Sequence, residues 1–214
     1  SDMDGTAGRC VMLPLDTGVS AQRLLLVGLG KADTARDFET GVRGAAETLG
    51  RSGSRNAVFA LTSSGRRAAE TGQQARLVAQ GFSDAQYRFD QMKSHKDKRR
   101  ATLVRLTLSI ADGKPVAGAR QGVREGNAIA AGLKLARDLG NLPGNICTPT
   151  YLAQQARKLG RSHSLKVSVL NESQMKTLKM GSLLSVSRGS RQPAKLIVME
   201  YWGAKRGDAP IVLV

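Results

Sequence analysis

The chain has 214 residues, of which 41% are apolar and 4% aromatic, and its formal net charge is +16. These values are typical of an α/β protein with an aliphatic core, and they exclude a low-complexity chain. A run of about 18 apolar residues is absent from the sequence, so we expect no membrane span.

The first half alternates apolar runs with amphipathic stretches. Four apolar runs bounded by turn residues predict strands at Cys10–Leu13, Arg23–Val27, Ala57–Leu61 and Leu103–Leu108. Apolar residues at three- and four-residue spacing predict helices at Asp37–Leu49 and Arg67–Tyr87. Strands that alternate with helices favour an α/β fold with a largely parallel or mixed sheet covered on both faces.

The second half is predicted to begin with a connector and a long helix. The Gly-, Pro- and Ala-rich segment Ala111–Ala119 indicates the connector, and Gln121–Leu139 indicates the helix. In that helix a stripe of small and apolar residues would let another helix approach closely: Ala128, Ala131, Leu135 and Leu139. Further elements are predicted at Tyr151–Leu159 (helix), Leu165–Leu170 (strand), Glu172–Met180 (helix), Lys195–Tyr201 (strand) and from Ile211 (strand).

A stiff loop joins the long helix to the next one. Gly140 can take the left-handed conformation that ends a helix, and Pro143 cannot extend one. Thr148 is a good N-cap, and Pro149 suits the first helical position because it needs no backbone donor there. The sequence therefore predicts helix, loop, helix in this region.

The same loop also resembles a protein family. The pattern Asn141-x-Pro143-x-Asn145-x-x-Thr148-Pro149-x-x-Leu152 is similar to the segment that opens the catalytic domain of the leucyl aminopeptidases, also called cytosol aminopeptidases. Four further stretches resemble the family in its own order: Arg23–Lys31, Tyr87–Lys96, Gly126–Asp138 and Met180–Tyr201.

The resemblance implies both a fold and a domain plan. It implies a macro-like N-terminal α/β domain with a mixed sheet at residues 1–116 and an interdomain helix at 117–140. The incomplete beginning of the catalytic aminopeptidase domain then follows at 141–214.

The resemblance also implies an activity. Cytoplasmic homohexamers of the family remove N-terminal residues, preferably leucine, from peptides by two-metal hydrolysis with Mn²⁺ or Zn²⁺. The family's metal-binding acids and catalytic lysine belong to motifs that would follow Val214. We therefore expect the chain to be an internal piece of a longer aminopeptidase, inactive alone, and assign it no catalytic, metal-binding or substrate-binding residue.

The densest basic segment is open to two interpretations. Its positive side chains are Lys93, Lys96, Lys98, Arg99 and Arg100. Such a run attracts nucleic-acid phosphates through a salt-sensitive electrostatic effect, but it also suits a solvated loop. The alternative function is therefore a DNA-binding accessory or regulatory module, a role that the resemblance also implies for some bacterial members.

Three smaller features complete the candidate chemistry. Gly28-Leu-Gly30-Lys31 is either a plain turn or a weak phosphate-binding loop, since its third glycine and the Walker pattern are absent. Asp138 is predicted to be held by Arg137 or, more favourably, by amides of the following loop. Cys10 and Cys147 are predicted to be reduced thiols.

Overall fold

A computed structural model describes residues 3–16, 18, 20–30, 34–61, 68–95, 103–110, 116–203, 205 and 207–214. The chain divides into two compact units, Ser1–Gly140 (unit 1) and Asn141–Val214 (unit 2). The elements of unit 1 are β1 (Cys10–Pro14), β2 (Arg23–Val27), α1 (Ala35–Ser52), β3 (Asn56–Leu61), α2 (Ala68–Ala85), β4 (Arg105–Ile110) and α3 (Val116–Asn141), whose last residue begins unit 2.

Local signals set the ends of α1. The Thr34 hydroxyl accepts the Asp37 amide at 3.2 Å and donates to the Asp37 carboxylate at 2.8 Å. Gly53 ends the helix in the left-handed conformation, at φ 74°. Glycine takes this conformation without the steric penalty that a side chain would bring.

The strands of unit 1 pair two by two. β1 and β2 run antiparallel, with Cys10 opposite Val27. β3 and β4 run parallel, with Asn56 opposite Arg105. The α/β class with strands of both orientations is confirmed, but the described strands form separate two-stranded sheets instead of the continuous mixed sheet predicted.

The core of unit 1 lies where α1 and α2 pack against β3 and β4. Phe59 on β3 meets Phe38 and Phe82 edge to face, with ring centroids 6.4 and 6.0 Å apart. Such aromatic pairs stabilise a core beyond the area they bury. The core residues below 9% exposure are Phe38, Val42, Ala45, Ala46, Leu61, Ala75, Val78, Phe82, Leu103 and Ala119.

Glycines bring α2 and α3 into backbone contact. A Cβ atom at Gly122 would overlap the carbonyl oxygen of Gly72, and one at Gly126 would lie 2.5 Å from the carbonyl oxygen of Arg76. The buried face of α3 is Ala119, Gly122, Gly126 and Ala130. The predicted contact stripe is therefore wrong, because Ala128 and Ala131 are exposed.

Unit 2 contains α4 (Pro149–His163), β5 (Lys166–Leu170), α5 (Glu172–Thr177), α6 (Gly181–Ser187) and β6 (Leu196–Glu200). β5 and β6 form an antiparallel pair, with Lys166 opposite Glu200. Met175 on α5 is fully buried, and Ala153 and Ala156 of α4 are nearly so. A reciprocal capping box fixes the start of α5, because Asn171 and Gln174 each accept the other's backbone amide.

Three sequence predictions are wrong in detail. Val116–Ala119, predicted as part of a connector, are helical, while residues 111–115 lie outside the described residues. The helix predicted to reach Met180 ends at Thr177, since Lys179 takes a positive φ of 58° and turns the chain into α6. The predicted strand at Ile211–Val214 pairs with no other strand of the described chain, and its side chains are exposed.

Candidate functional sites

The loop between α3 and α4 is built from backbone hydrogen bonds. The Pro143 carbonyl accepts the amides of Ile146 and Cys147, both at 2.9 Å. Thr148 caps α4 by accepting the Tyr151 amide at 3.2 Å, as predicted. Gly140 does not take the left-handed conformation predicted for it, because α3 continues through Asn141. These hydrogen bonds give the loop a structural role in starting α4.

The glycine turn after β2 is a structural turn. The Gly28 amide donates to the Arg9 carbonyl at 2.8 Å, and the Gly30 amide donates to the Gly5 carbonyl at 2.9 Å. A Cβ atom at Gly28 would overlap the carbonyl oxygen of Thr6, which is why this position suits glycine. The phosphate-loop alternative is therefore wrong for Gly28 and Gly30, since their amides are already bonded to carbonyls.

Two ion pairs involve residues near the end of α3, one within the helix and one to α2. Asp138 pairs with Lys134 one turn earlier, so the predicted pairing with Arg137 or with loop amides is wrong. Arg137 instead binds the Asp84 carboxylate at 3.0 Å. Its guanidinium also lies over the Tyr87 ring, 5.3 Å from the centroid. This cation–π contact and ion pair fasten α3 to the end of α2.

The structure covers one residue of the predicted nucleic-acid segment. Lys93 is exposed, and its ammonium lies 2.9 Å from the Asp90 carboxylate. Lys96, Lys98, Arg99 and Arg100 lie outside the described residues. The nucleic-acid interface therefore stays a prediction.

The described residues do not fit a metal centre. Nowhere among them do three or more His, Cys, Asp or Glu side chains come close enough together to hold an ion. The two divalent ions implied by the resemblance are accordingly assigned to no side chain in the described part of the chain.

Both cysteines are free thiols, as predicted, and both are half-buried. Burial raises the pKa of the Cys10 thiol above its ordinary value of 9.0. A hydrogen bond with Thr48 and the charge of Arg51 oppose that change but are smaller. Burial has this direction because it disfavours the charged thiolate.

We predict that Cys10 alkylates slowly in the folded protein. Because its raised pKa leaves less thiolate at any given pH, the rate–pH profile for iodoacetamide should be displaced to higher pH relative to the same thiol in urea. Peptide mass spectrometry would follow Cys10 separately from Cys147. A profile with the same midpoint in the folded and unfolded chain would contradict the prediction. If the fold only limited the access of iodoacetamide to Cys10, the reaction would be slower but its midpoint would not move.

The sequence interpretation missed a cleft at the end of α2. Two adjoining hollows, of about 220 and 200 Å³, share the side chains of Phe82, Gln86 and Leu103. The side-chain carbonyl oxygen of Gln86 is buried and has no hydrogen-bond partner among the residues that the structure describes. Its Nε2 donates to the Phe82 carbonyl at 3.4 Å. No sequence motif marks this site, because its residues come from α1, α2 with the residues just after it, β4 with the segment before it, and α3.

Comparison with known proteins identifies the family. Residues 1–96 match the model of the cytosol aminopeptidase family, N-terminal domain, and residues 134–214 match the model of the catalytic domain of the same family. A protein of Nitrosococcus oceani named "Probable cytosol aminopeptidase" is 44% identical over 216 residues, which is 100% of this chain and 43% of that protein. The chain belongs to the cytosol aminopeptidase family. It spans less than half the length of this relative.

Two solved structures share the fold of this chain. A mutant of tomato leucine aminopeptidase matches 92% of this chain and 38% of its own, with a TM-score of 0.79 and 28% identity. The bottromycin maturation enzyme BotP in complex with Mn matches 93% of this chain and 40% of its own, with a TM-score of 0.75 and 28% identity. The described helices of this family member include none long and apolar enough to cross a bilayer.

Proposed function

We propose that the protein containing this chain is an aminopeptidase, which removes N-terminal residues from peptides and prefers leucine. The observation that carries the proposal is the match along the whole chain to a relative named as a cytosol aminopeptidase. The match to the leucine aminopeptidase of tomato supports the same substrate class.

The proposal includes two divalent ions, Mn²⁺ or Zn²⁺, which polarise the scissile carbonyl and lower the pKa of a bound water. The Mn-bound neighbour supports a divalent metal. Since the described residues fit no such site, we assign the ions to no described residue of this chain. We expect the 214-residue chain alone to be inactive.

In the proposed aminopeptidase, this chain supplies the N-terminal domain, the interdomain helix and the start of the catalytic domain. Residues 1–116 form the N-terminal α/β domain, 117–140 the interdomain helix and 141–214 the beginning of the catalytic domain. The match to the N-terminal and catalytic family models supports this order. We further propose a cytoplasmic homohexamer, which size-exclusion chromatography with light scattering would test.

Intact mass followed by an activity assay tests the proposal. We expect the purified protein to have roughly twice the 22.8 kDa of this chain and to hydrolyse leucine p-nitroanilide with Mn²⁺. EDTA should abolish hydrolysis and added Mn²⁺ should restore it, because the ion supplies the Lewis acid. Arginine and glutamate anilides serve as matched substrates for the leucine preference.

Two outcomes would contradict different parts of the proposal. A metal-loaded protein of the larger mass that cleaves no leucine substrate would overturn the aminopeptidase function. Metal-dependent hydrolysis by the 22.8 kDa chain would overturn only the expectation that this chain lacks the metal site.

A further inference from the structure

The two strand pairs of unit 1 share a core but no hydrogen-bond ladder. Leu25 and Val27 of β2 pack against the same buried cluster as Ala57 and Phe59 of β3. Among the described residues, β2 pairs only with β1, and β3 pairs only with β4. One edge of β2 and one edge of β3 are therefore open within this part of the chain.

β2 and β3 run in the same direction, because α1 connects them. Arg23, at the start of β2, donates to the Ser52 carbonyl at 2.9 Å and to the Ser54 hydroxyl at 3.0 Å, at the end of α1. Phe59 on β3 contacts Phe38 near the start of α1. Both strands thus begin beside the end of α1 and run back along it, as in a strand–helix–strand unit.

The register of the first pair shows where the free edge of β2 lies. The Leu15 amide donates to the Gln22 carbonyl at 3.0 Å, in register with the β1–β2 ladder. Because bonded and non-bonded pairs alternate in an antiparallel ladder, the amides of Leu25 and Val27 point away from β1. On β1, Pro14 lies in a non-bonded pair and has no amide hydrogen, so β1 suits the outer edge of a sheet.

The register of the second pair places a matching free edge on β3. The Arg105 amide donates to the Arg55 carbonyl at 3.1 Å, so alternate residues of β3 bond to β4. The amides of Val58 and Ala60 belong to the other set and point away from β4. Free amides and carbonyls along a strand edge are a template for a further strand.

The separation of the two edges suits one strand. Strands in a sheet lie about 4.8 Å apart, so a single strand inserted between two others separates them by about 10 Å. An extended arginine side chain and one hydrogen bond can span such a distance, as Arg23 does from β2 to Ser54 just before β3. We call the space between the open edges of β2 and β3 the strand slot.

We propose that the strand slot takes an extended segment of the longer aminopeptidase that these 214 residues do not include. The chain covers only 43% of the length of its 44%-identical relative, so the longer protein has residues to supply the segment. Its backbone bonds to β2 on one side and to β3 on the other, which joins the two pairs into one sheet. Its side chains on the helix face are apolar, because Leu25, Val27 and Phe59 line that face. The occupant depends on the proposed longer protein but not on its peptidase activity.

Hydrogen exchange of the purified longer protein, resolved to single amides by mass spectrometry, tests the occupancy of the slot. We expect the amides of Leu25, Val27, Val58 and Ala60 to exchange at least about 100-fold more slowly than freely exposed amides, because paired amides exchange only on opening. The Met12 amide, which points to the outer edge of β1, is the internal reference for an unpaired position. Unprotected amides at Val58 and Ala60 would show that the slot is empty.

Proline variants of the longer protein provide a second measurement. Val58→Pro removes an amide that the inserted strand would bond, whereas Met12→Pro makes the same kind of change on the outer edge that already carries Pro14. We expect Val58→Pro to have a Tm about 5 °C lower than Met12→Pro. Equal Tm values would contradict the insertion of a strand beside β3.

A photo-crosslinker identifies the occupant. Benzoylphenylalanine introduced at position 58 of the longer protein should crosslink to a peptide outside residues 1–214 of the same chain, with the chain mass unchanged on a denaturing gel. A crosslink between two chains would show that a second copy fills the slot, and one confined to residues 1–214 would show that no outside segment does. Either result would rule out the proposed occupant. None of these measurements reads peptidase activity, so the proposed function can fail or hold independently.

Discussion

Replacing Gly122 with alanine is expected to lower the free energy of unfolding by about 3 kcal/mol, because the new methyl group would overlap the carbonyl oxygen of Gly72. The obstacle is backbone of the neighbouring helix and cannot rotate away as a side chain would. The better helix propensity of alanine offsets the loss by only about 1 kcal/mol. Thermal unfolding followed by circular dichroism should show Tm falling by about 5–10 °C.

Gly132→Ala is the matched control for this prediction. Gly132 lies on the same helix, and a Cβ atom there would have no neighbour within 4 Å. This substitution should raise the stability by up to about 1 kcal/mol, since only helix propensity changes. Equal Tm values for the two variants would show that α2 and α3 are not in backbone contact.

Replacing Met175 with alanine is expected to destabilise unit 2 by about 2–5 kcal/mol. Met175 is fully buried at 0% exposure, so its truncation removes apolar contacts and leaves a cavity. Hydrogen exchange measured by mass spectrometry can report each unit separately. Protection of β5 and β6 should fall while that of β3 is retained.

Met199 provides the control for Met175. Met199 lies on β6 of the same unit and is 54% exposed, so Met199→Ala makes the same chemical change without opening a cavity. It should alter stability by no more than about 0.5 kcal/mol. Similar exchange in the two variants would mean that Met175 is not packed as described.

Secondary structure was predictable wherever local sequence signals decide it. The run of β2 (Arg23–Val27) was placed at its observed ends, and Thr148 was identified as the cap of α4. The strand at Ile211 was not correctly predicted, since a run of apolar residues shows strand propensity but does not supply a partner strand. The pairing of strands depends on tertiary contacts, which a propensity pattern does not contain.

The contact face of α3 shows why a hydrophobic pattern can mislead. A search for apolar periodicity gives weight to alanine and leucine, and it therefore selected Ala128 and Leu135. The buried face instead centres on Gly122 and Gly126, whose contribution is the side chain they lack. Glycine has a low helix propensity, so its presence argues against a helix in a sequence analysis. In α3, however, it allows the backbone of α3 to contact the backbone of α2.

Candidate chemistry was less predictable than the fold. The family assignment came from an ordered series of motifs, beginning with the loop around Asn145. The cleft residues Arg51, Gln86 and Leu103 are far apart in sequence and share no motif spacing. They meet only where α1, the end of α2 and the segment before β4 come together, so their convergence required the three-dimensional structure.

The parallel pairing of β3 with β4 has a consequence for how unit 1 forms. β1 and β2 are joined by a short connection, so they can pair early in folding. β3 and β4, which pair Asn56 with Arg105, are separated in sequence by the whole of α2 and can pair only after that longer segment closes. Closing a long loop before its contacts form costs chain entropy and slows assembly. We therefore expect the union of these two strands to limit refolding, and stopped-flow kinetics should show Leu61→Ala, in β3, slowing this step more than Leu25→Ala, in β2. During synthesis, the hairpin of β1 and β2 would then be complete while β3 still lacks its partner β4.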